Sequence, residues 1–71
     1  MAEEVRAEMV STVLTVEVAV GDKVHTDQTL VLLESMKMEI PVLAPVAGTI
    51  KEFLVQEGDV VQEGQAVAII E

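Results

Sequence analysis

Short apolar runs separated by polar, turn-forming residues recur along this 71-residue chain. The clearest runs cover residues 13–18, 30–33, 49–55 and 66–70, and valine and other β-branched residues are frequent in them. Such residues favour strands, and runs this short suit a strand better than a helix. The pattern therefore predicts an all-β domain.

The strand pattern repeats within the chain. Residues 12–34 align without a gap with residues 49–71, and seven of the 23 aligned pairs are identical, including a Gly-Asp pair at 21–22 and 58–59. Gly-Asp is a strong turn signal. Two copies of a strand–turn–strand unit, each with one apolar face, would pack on each other. We therefore predict a two-sheet sandwich or flattened barrel with approximate two-fold symmetry.

The segment between the two copies has an unusual composition. It reads Glu34-Ser35-Met36-Lys37-Met38-Glu39. Strand-like residues on both sides predict a hairpin with its turn near residues 36–37, although Met-Lys is a poor turn pair compared with Asn-Gly or Asp-Gly. Local rules tend to be broken at functional sites, and methionine suits adaptable binding surfaces. Lys37 is therefore a candidate functional residue, and an ordinary solvated lysine beside gap-filling methionines is the alternative.

The ends of the domain follow from the same pattern. Residues 1–8 contain helix formers with nothing after them to stabilise a helix, so we expect a frayed N-terminal segment there. A single domain is expected over residues 9–71. Its halves would cover about 9–34 and 46–71, joined by a hairpin at 34–42.

Composition and charge narrow the function classes. The chain has no cysteine and one histidine, so neither disulfides nor a metal site are expected. A formal net charge of −9 opposes binding to nucleic-acid phosphates. The N-terminus lacks the apolar stretch of a signal peptide, and no apolar run approaches the ~20 residues of a membrane helix. We expect a cytoplasmic protein, monomeric in isolation, that binds neither nucleic acid nor membranes.

These motifs resemble those of the biotinyl/lipoyl attachment domains, and of the biotinyl branch in particular. Residues 35–38 are similar to the Ala/Ser-Met-Lys-Met motif of that branch, with Ser35 where alanine is common. A Gly-Asp turn in each half and an Ala-Pro-x-x-Gly segment at 44–48 extend the resemblance over roughly residues 8–71. Many biotinyl domains follow a linker in a long carboxylase chain. We expect a free-standing carrier here, similar to the biotin carboxyl carrier domains of acyl-CoA carboxylases.

The resemblance implies a fold and a function. The fold is two four-stranded antiparallel sheets, a barrel-sandwich hybrid with the hairpin at one end and the termini near the other. The domain is expected to be non-catalytic and to receive biotin on Lys37 from a biotin protein ligase, then to serve biotin carboxylase and carboxyltransferase components. Met36 and Met38 are expected to be read by the ligase. Weaker contributions are expected from Glu34, Ser35 and Glu39.

Two alternatives stay open on the sequence. Lipoyl domains share the fold and the hairpin lysine, so lipoate could be attached instead of biotin or as well as it. Their lysine usually follows a small or acidic residue and precedes alanine, which Met36 and Met38 do not match. The second alternative is an unmodified adaptor that docks a partner through the methionine-rich tip.

Overall fold

The computed structural model describes residues 2–71, which form eight β-strands in two four-stranded antiparallel sheets. In chain order the strands are β1 (Glu3–Arg6), β2 (Ser11–Val16), β3 (Lys23–Val24), β4 (Thr29–Ser35), β5 (Met38–Leu43), β6 (Gly48–Phe53), β7 (Val60–Val61) and β8 (Ala66–Ile70). One sheet has the order β1-β8-β6-β3 and the other β5-β4-β2-β7. The predicted all-β fold of two four-stranded sheets is confirmed. The described residues contain no helix, and so none long and apolar enough to cross a membrane.

The internal repeat is visible in the sheet order. A shift of 37 residues (49 − 12) carries β2, β3 and β4 onto β6, β7 and β8, and this exchange converts one sheet order into the other. The Gly21 amide donates to the Ile50 carbonyl at 2.8 Å, and the equivalent Gly58 amide donates to the Val13 carbonyl at 2.8 Å. Each copy therefore ties its own turn to a strand of the other copy, which locks the two halves together.

The two Gly-Asp turns share one construction. Gly21 and Gly58 both have φ of +94°, a left-handed conformation that glycine adopts without a steric penalty. The carboxylate of Asp22 accepts a hydrogen bond from the Ala19 amide at 2.9 Å, and Asp59 does the same for the Gln56 amide at 2.9 Å. The aspartate thus closes the loop that precedes it, and the Gly-Asp pair is a structural unit in both halves.

The core is aliphatic and continuous. Every strand contributes at least one buried apolar side chain, and the largest fully buried ones include Leu30, Leu33 and Ile50. Burial of each such side chain contributes roughly 1.5–3 kcal/mol. Within the described residues, no buried side-chain nitrogen or oxygen lacks a hydrogen-bond partner. A small domain without disulfides therefore rests on well-matched aliphatic packing between two sheets.

One glycine marks a close approach between strands. A Cβ added to Gly48, at the start of β6, would lie 2.6 Å from Cγ2 of Ile70 and 2.9 Å from the carbonyl oxygen of Glu71. Real Cβ atoms do not approach neighbours so closely, so the contact between β6 and the end of β8 depends on the missing side chain.

The expectation of a frayed N-terminus is wrong for residues 3–7. β1 pairs antiparallel with β8, and the side chains of Val5 and Ala7 are both 3% exposed. By the 37-residue shift these two residues are the equivalents of Val42 and Ala44, which are buried in and just after β5. The domain therefore begins at β1 and not at residue 9, because β1 is the repeat equivalent of β5 and precedes β2 in the chain. Met1, also part of that expectation, lies outside the described residues.

Candidate functional site

The hairpin of β4 and β5 ends in the shortest common type of loop. Ser35 pairs with Met38, which leaves Met36 and Lys37 as the only two loop residues. Their φ angles are +53° and +66°. Positive φ at both central residues defines a type I′ turn, whose twist matches that of the two strands it joins. The predicted turn at residues 36–37 is confirmed.

The residue types in this turn cost backbone stability. A left-handed conformation costs roughly 1–2 kcal/mol for a residue other than glycine. Among the described residues, the only other such position is Asp27, with φ of +70°, and its repeat equivalent is Gly64 with φ of +82°. Aspartate and glycine are common in that conformation, whereas methionine and lysine are not. Backbone preference therefore does not explain why methionine and lysine occupy this turn. We infer that these two residues are present for what their side chains do.

The side chains at the tip lie in solvent. Met36 is 89% exposed and Met38 is 58% exposed, while Lys37 between them is also exposed. Within residues 2–71, no hydrogen bond or ion pair involves the Lys37 side chain. A primary amine at the apex of a hairpin can enter the active site of another protein. This arrangement suits an amide-linked cofactor, because neither a neighbouring side chain nor the fold holds the amine.

The remaining predicted site residues lie in the same hairpin. Glu34 and Glu39 are exposed and face each other directly across β4 and β5, and Ser35 is half-buried beside the turn. Like charges directly opposite on two strands destabilise a sheet. The structure thus brings all six predicted residues together in one short segment. The two carboxylates lie one residue pair away from the pair that closes the turn.

Sequence reasoning missed the neighbours of this hairpin. Thr12 of β2 pairs with Glu34 on one side and with Val60 of β7 on the other. Val60 is 61% exposed, so this row continues across the outer face of the sheet next to the tip. The 37-residue shift makes Val60 the equivalent of Lys23. The repeat could therefore have indicated that both residues occupy equivalent strands, but not that Val60 lies near the hairpin.

Comparisons with known proteins agree with this geometry. A family model described as biotin-requiring enzyme matches residues 3–70. The chain is 61% identical over 71 residues to the biotinylated protein TB7.3 homolog of Mycolicibacterium smegmatis, with 100% of both chains covered. It is 41% identical over 63 residues to the biotin/lipoyl attachment protein of Bacillus subtilis, with 89% of this chain and 86% of the relative covered.

A solved structure gives the same result for the fold. The crystal structure of the urea carboxylase of Kluyveromyces lactis contains a segment that matches 100% of this chain with a TM-score of 0.95 and 32% sequence identity. The chain spans only 6% of that carboxylase, so the match concerns one domain of a much longer protein.

The fold and the hairpin together define a carrier domain, a small β-sandwich that presents one amine on a two-residue turn. The chain belongs to the biotin/lipoyl attachment family, whose model covers residues 3–70. The predicted biotinyl branch is confirmed by relatives that are named biotinylated proteins, and this chain is a biotin carrier domain. These matches do not favour the lipoyl and adaptor alternatives.

Proposed function

We propose that Lys37 is the residue that a biotin protein ligase modifies, and that the loaded domain serves a biotin-dependent carboxylase. The observation that supports this most strongly is the tip itself, where an exposed amine without a partner lies between two exposed methionines in a type I′ turn. The resemblance of residues 35–38 to the biotinyl motif supports the same residue.

Attachment is an acyl transfer to Lys37. The neutral amine attacks the activated carboxyl carbon held by the ligase, a C–N bond forms, the activating group departs, and the amine loses a proton. Lysine amines are mostly charged near neutral pH. No group among residues 2–71 is hydrogen-bonded to this amine, so we assign the loss of its proton to the ligase, whose active site would desolvate it. Acylation then removes the lysine charge, as acetylation does.

The loaded domain works by placement. Biotin, when bound, supplies a ring nitrogen that accepts and releases a carboxyl group. The turn at Met36 and Lys37 fixes the base of the arm, and the lysine stem gives it reach into successive active sites. Tethering raises the local concentration of a group at each site without any new contact. We assign these sites to biotin carboxylase and carboxyltransferase components, since a solved carboxylase contains the same domain. We further propose that the domain is cytoplasmic and monomeric in isolation.

Ligase recognition is assigned mainly to the two methionines. Both are exposed and polarizable, and neither belongs to the buried core. Replacing Met36 by Thr or Met38 by Leu should therefore lower the rate of biotinylation more than it lowers the melting temperature. Glu34, Ser35 and Glu39 would contribute less, through charge and through the shape of the turn. A large loss of melting temperature with normal biotinylation would instead make the methionines structural residues.

The test of the proposed function is the intact mass of the protein purified from its own cells, with fragmentation to locate any adduct. A biotin-sized adduct on Lys37 is the expected result. A lipoate-sized adduct would favour the lipoyl alternative. An unmodified chain, in cells whose other biotin proteins are fully loaded, would favour the adaptor.

A further inference from the structure

We propose that Met36 and Met38 form a methionine oxidation site that controls loading of Lys37: peroxide converts the two thioethers to sulfoxides, and the oxidised carrier becomes a poor ligase substrate. The inference rests on the proposed function, because it concerns the hairpin that the ligase would bind.

Among residues 2–71, the side chains of Met36 and Met38 are more exposed than that of the third methionine, Met9. Oxidation of methionine follows exposure. Met36 is 89% exposed and Met38 is 58% exposed, whereas Met9 is 42% exposed and lines a groove of about 210 Å³ between the N-terminal strand and β5. The chain has no cysteine, so no thiol of its own would consume the peroxide first. Met36 should oxidise fastest, followed by Met38 and then Met9.

The reaction is a balanced oxygen transfer. A sulfur lone pair attacks one oxygen of hydrogen peroxide, the O–O bond breaks, an S–O bond forms, and water leaves after proton transfer. Sulfur loses two electrons and the peroxide gains them. The product can be returned to the thioether by methionine sulfoxide reductases, one for each sulfoxide epimer, at the expense of thiols. The site is therefore reversible.

The consequence follows from the position of the two side chains. Oxidation turns a flexible apolar side chain into a polar one with a new acceptor oxygen. Because Met36 and Met38 flank Lys37 directly in the chain, we expect an enzyme that encloses the amine to contact both side chains. An apolar contact that suits a thioether would leave the sulfoxide oxygen without a donor. The fold should not respond, since neither side chain belongs to the core.

The strained turn supports a role for the Met36 side chain. Met36 is held at φ of +53°, where glycine or asparagine would be more stable. A side chain kept at such a position and left in solvent contributes nothing to the core, so it is available for contacts with a partner and accessible to an oxidant.

The experiment uses the unmodified full chain, treated with hydrogen peroxide and quenched, with sulfoxides located by peptide mass mapping. Biotinylation by the ligase of the same organism is then measured with ATP and biotin. We expect kcat/KM to fall roughly tenfold or more, the size of effect that a misplaced group in an apolar pocket produces. Reductase treatment should restore the original rate. The melting temperature should stay within a few degrees throughout, which separates lost recognition from unfolding.

Matched variants assign the effect to the tip. Met9→Leu should keep the full sensitivity to peroxide, and the double variant Met36→Leu/Met38→Leu should react at one rate before and after treatment. A carrier with verified sulfoxides at both positions and an unchanged rate would overturn the inference, as would sensitivity that disappears with Met9→Leu. Reductase rescue of the wild-type chain decides the question even where the double variant is a poor substrate. Failure of the proposed function looks different, because the untreated chain would then not be biotinylated on Lys37, and the inference would fall with it.

Discussion

The two ends of the sandwich are related by the internal repeat, yet they carry opposite chemistry. One end of the sandwich contains Glu71, whose backbone exchanges two hydrogen bonds with that of Thr49, of 2.8 and 2.9 Å. Its carboxylate lies 3.5 Å from the amine of Lys51, and Lys23 pairs with Thr49 from the other side. The Glu71 carboxylate therefore has one ammonium group within ion-pair distance, and a second lysine lies on the neighbouring strand.

The hairpin end has the same backbone pairing as the other end but lacks the two lysines. The equivalents of Glu71 and Thr49 are Glu34 and Thr12, and they pair in the same way. The positions of Lys51 and Lys23 are taken by leucine and valine at 14 and 60, and a second carboxylate, Glu39, faces Glu34. Within residues 2–71, Glu34 and Glu39 make no ion pair.

The comparison shows that the two ends share the backbone pairing that stabilises the fold and differ in the side chains that a partner enzyme could recognise. Backbone pairing is set by the repeat and is nearly the same at both ends, so it cannot tell a partner enzyme which end to bind. At the hairpin end, β4 and β5 are joined directly by the two-residue turn at Met36 and Lys37. Around that turn lie two exposed methionines and two carboxylates that make no ion pair within residues 2–71, whereas the other end has the ion pair of Lys51 and Glu71.

Removing the acceptor should give the largest difference between the ends. Lys37→Arg should abolish biotinylation, because a guanidinium stays protonated and cannot act as the nucleophile. The fold should be unaffected, since Lys37 is an exposed turn residue. Mass spectrometry after incubation with ligase checks the first point and thermal unfolding the second. Lys23→Arg and Lys51→Arg, at the other end, are the controls and should be biotinylated normally. An adduct that persists in Lys37→Arg would contradict the assignment.

A methyl group at the terminal end should harm stability and leave the hairpin untouched. Gly48→Ala should lower the free energy of unfolding by about 1–3 kcal/mol, because its Cβ would meet Ile70 and the Glu71 carbonyl at impossible distances. Urea denaturation measures this loss. Gly64→Asp is the matched control, since Asp27 adopts the same conformation at the equivalent position, and it should be nearly neutral. Equal losses in the two variants would show that glycine content, and not the close approach, matters.

Relieving the strained turn should separate stability from recognition at the hairpin end. Met36→Gly should raise the free energy of unfolding by about 1 kcal/mol, because glycine adopts the left-handed conformation without penalty. The same variant should slow biotinylation, because it removes a side chain assigned to ligase contact. Chemical denaturation and single-turnover ligation on one preparation test both parts. A variant that is more stable and equally fast would remove Met36 from the recognition residues.

Discharging one of the facing glutamates should give the smallest effect. Glu39→Gln should raise stability by about 0.2–1 kcal/mol through loss of like-charge repulsion with Glu34. The gain should shrink in high salt, where charges on the surface are screened. Lys51→Gln at the other end, which breaks an exposed ion pair, should cost stability by at most about 1 kcal/mol. The two variants should therefore differ in sign, and a loss of stability in Glu39→Gln would contradict the repulsion.

Several features were predictable because they are local. The hairpin turn at Met36 and Lys37 and the two Gly-Asp turns each depend on a few neighbouring residues. A turn needs only a few positions with suitable φ and polarity, and a strand of five or six residues shows its apolar run directly. The lysine that we propose as the acceptor could be singled out for the same reason, since its motif is contiguous.

The N-terminal strand was not predictable in this way. Val5 is buried only because β8, more than sixty residues later in the chain, lies beside it and supplies backbone partners. The short strands β3 and β7 have two residues each and exist only through pairing with β6 and β2. Periodicity cannot reveal a two-residue strand, because a period needs several repeats to be visible.

The sequence by itself determined the strand-rich composition and the lysine between two methionines, because each depends on residues close together along the chain. It also determined the two-fold repeat, because a repeat appears when one stretch of sequence is aligned with another. Only the tertiary structure decided that β1 completes a sheet, that Thr12 and Val60 adjoin the hairpin, and that Glu34 and Glu39 lack the cations found at the other end. Those features depend on which distant strands pair. Strand pairing is decided when the two sheets bury their apolar faces against each other, which no single segment of the chain can determine.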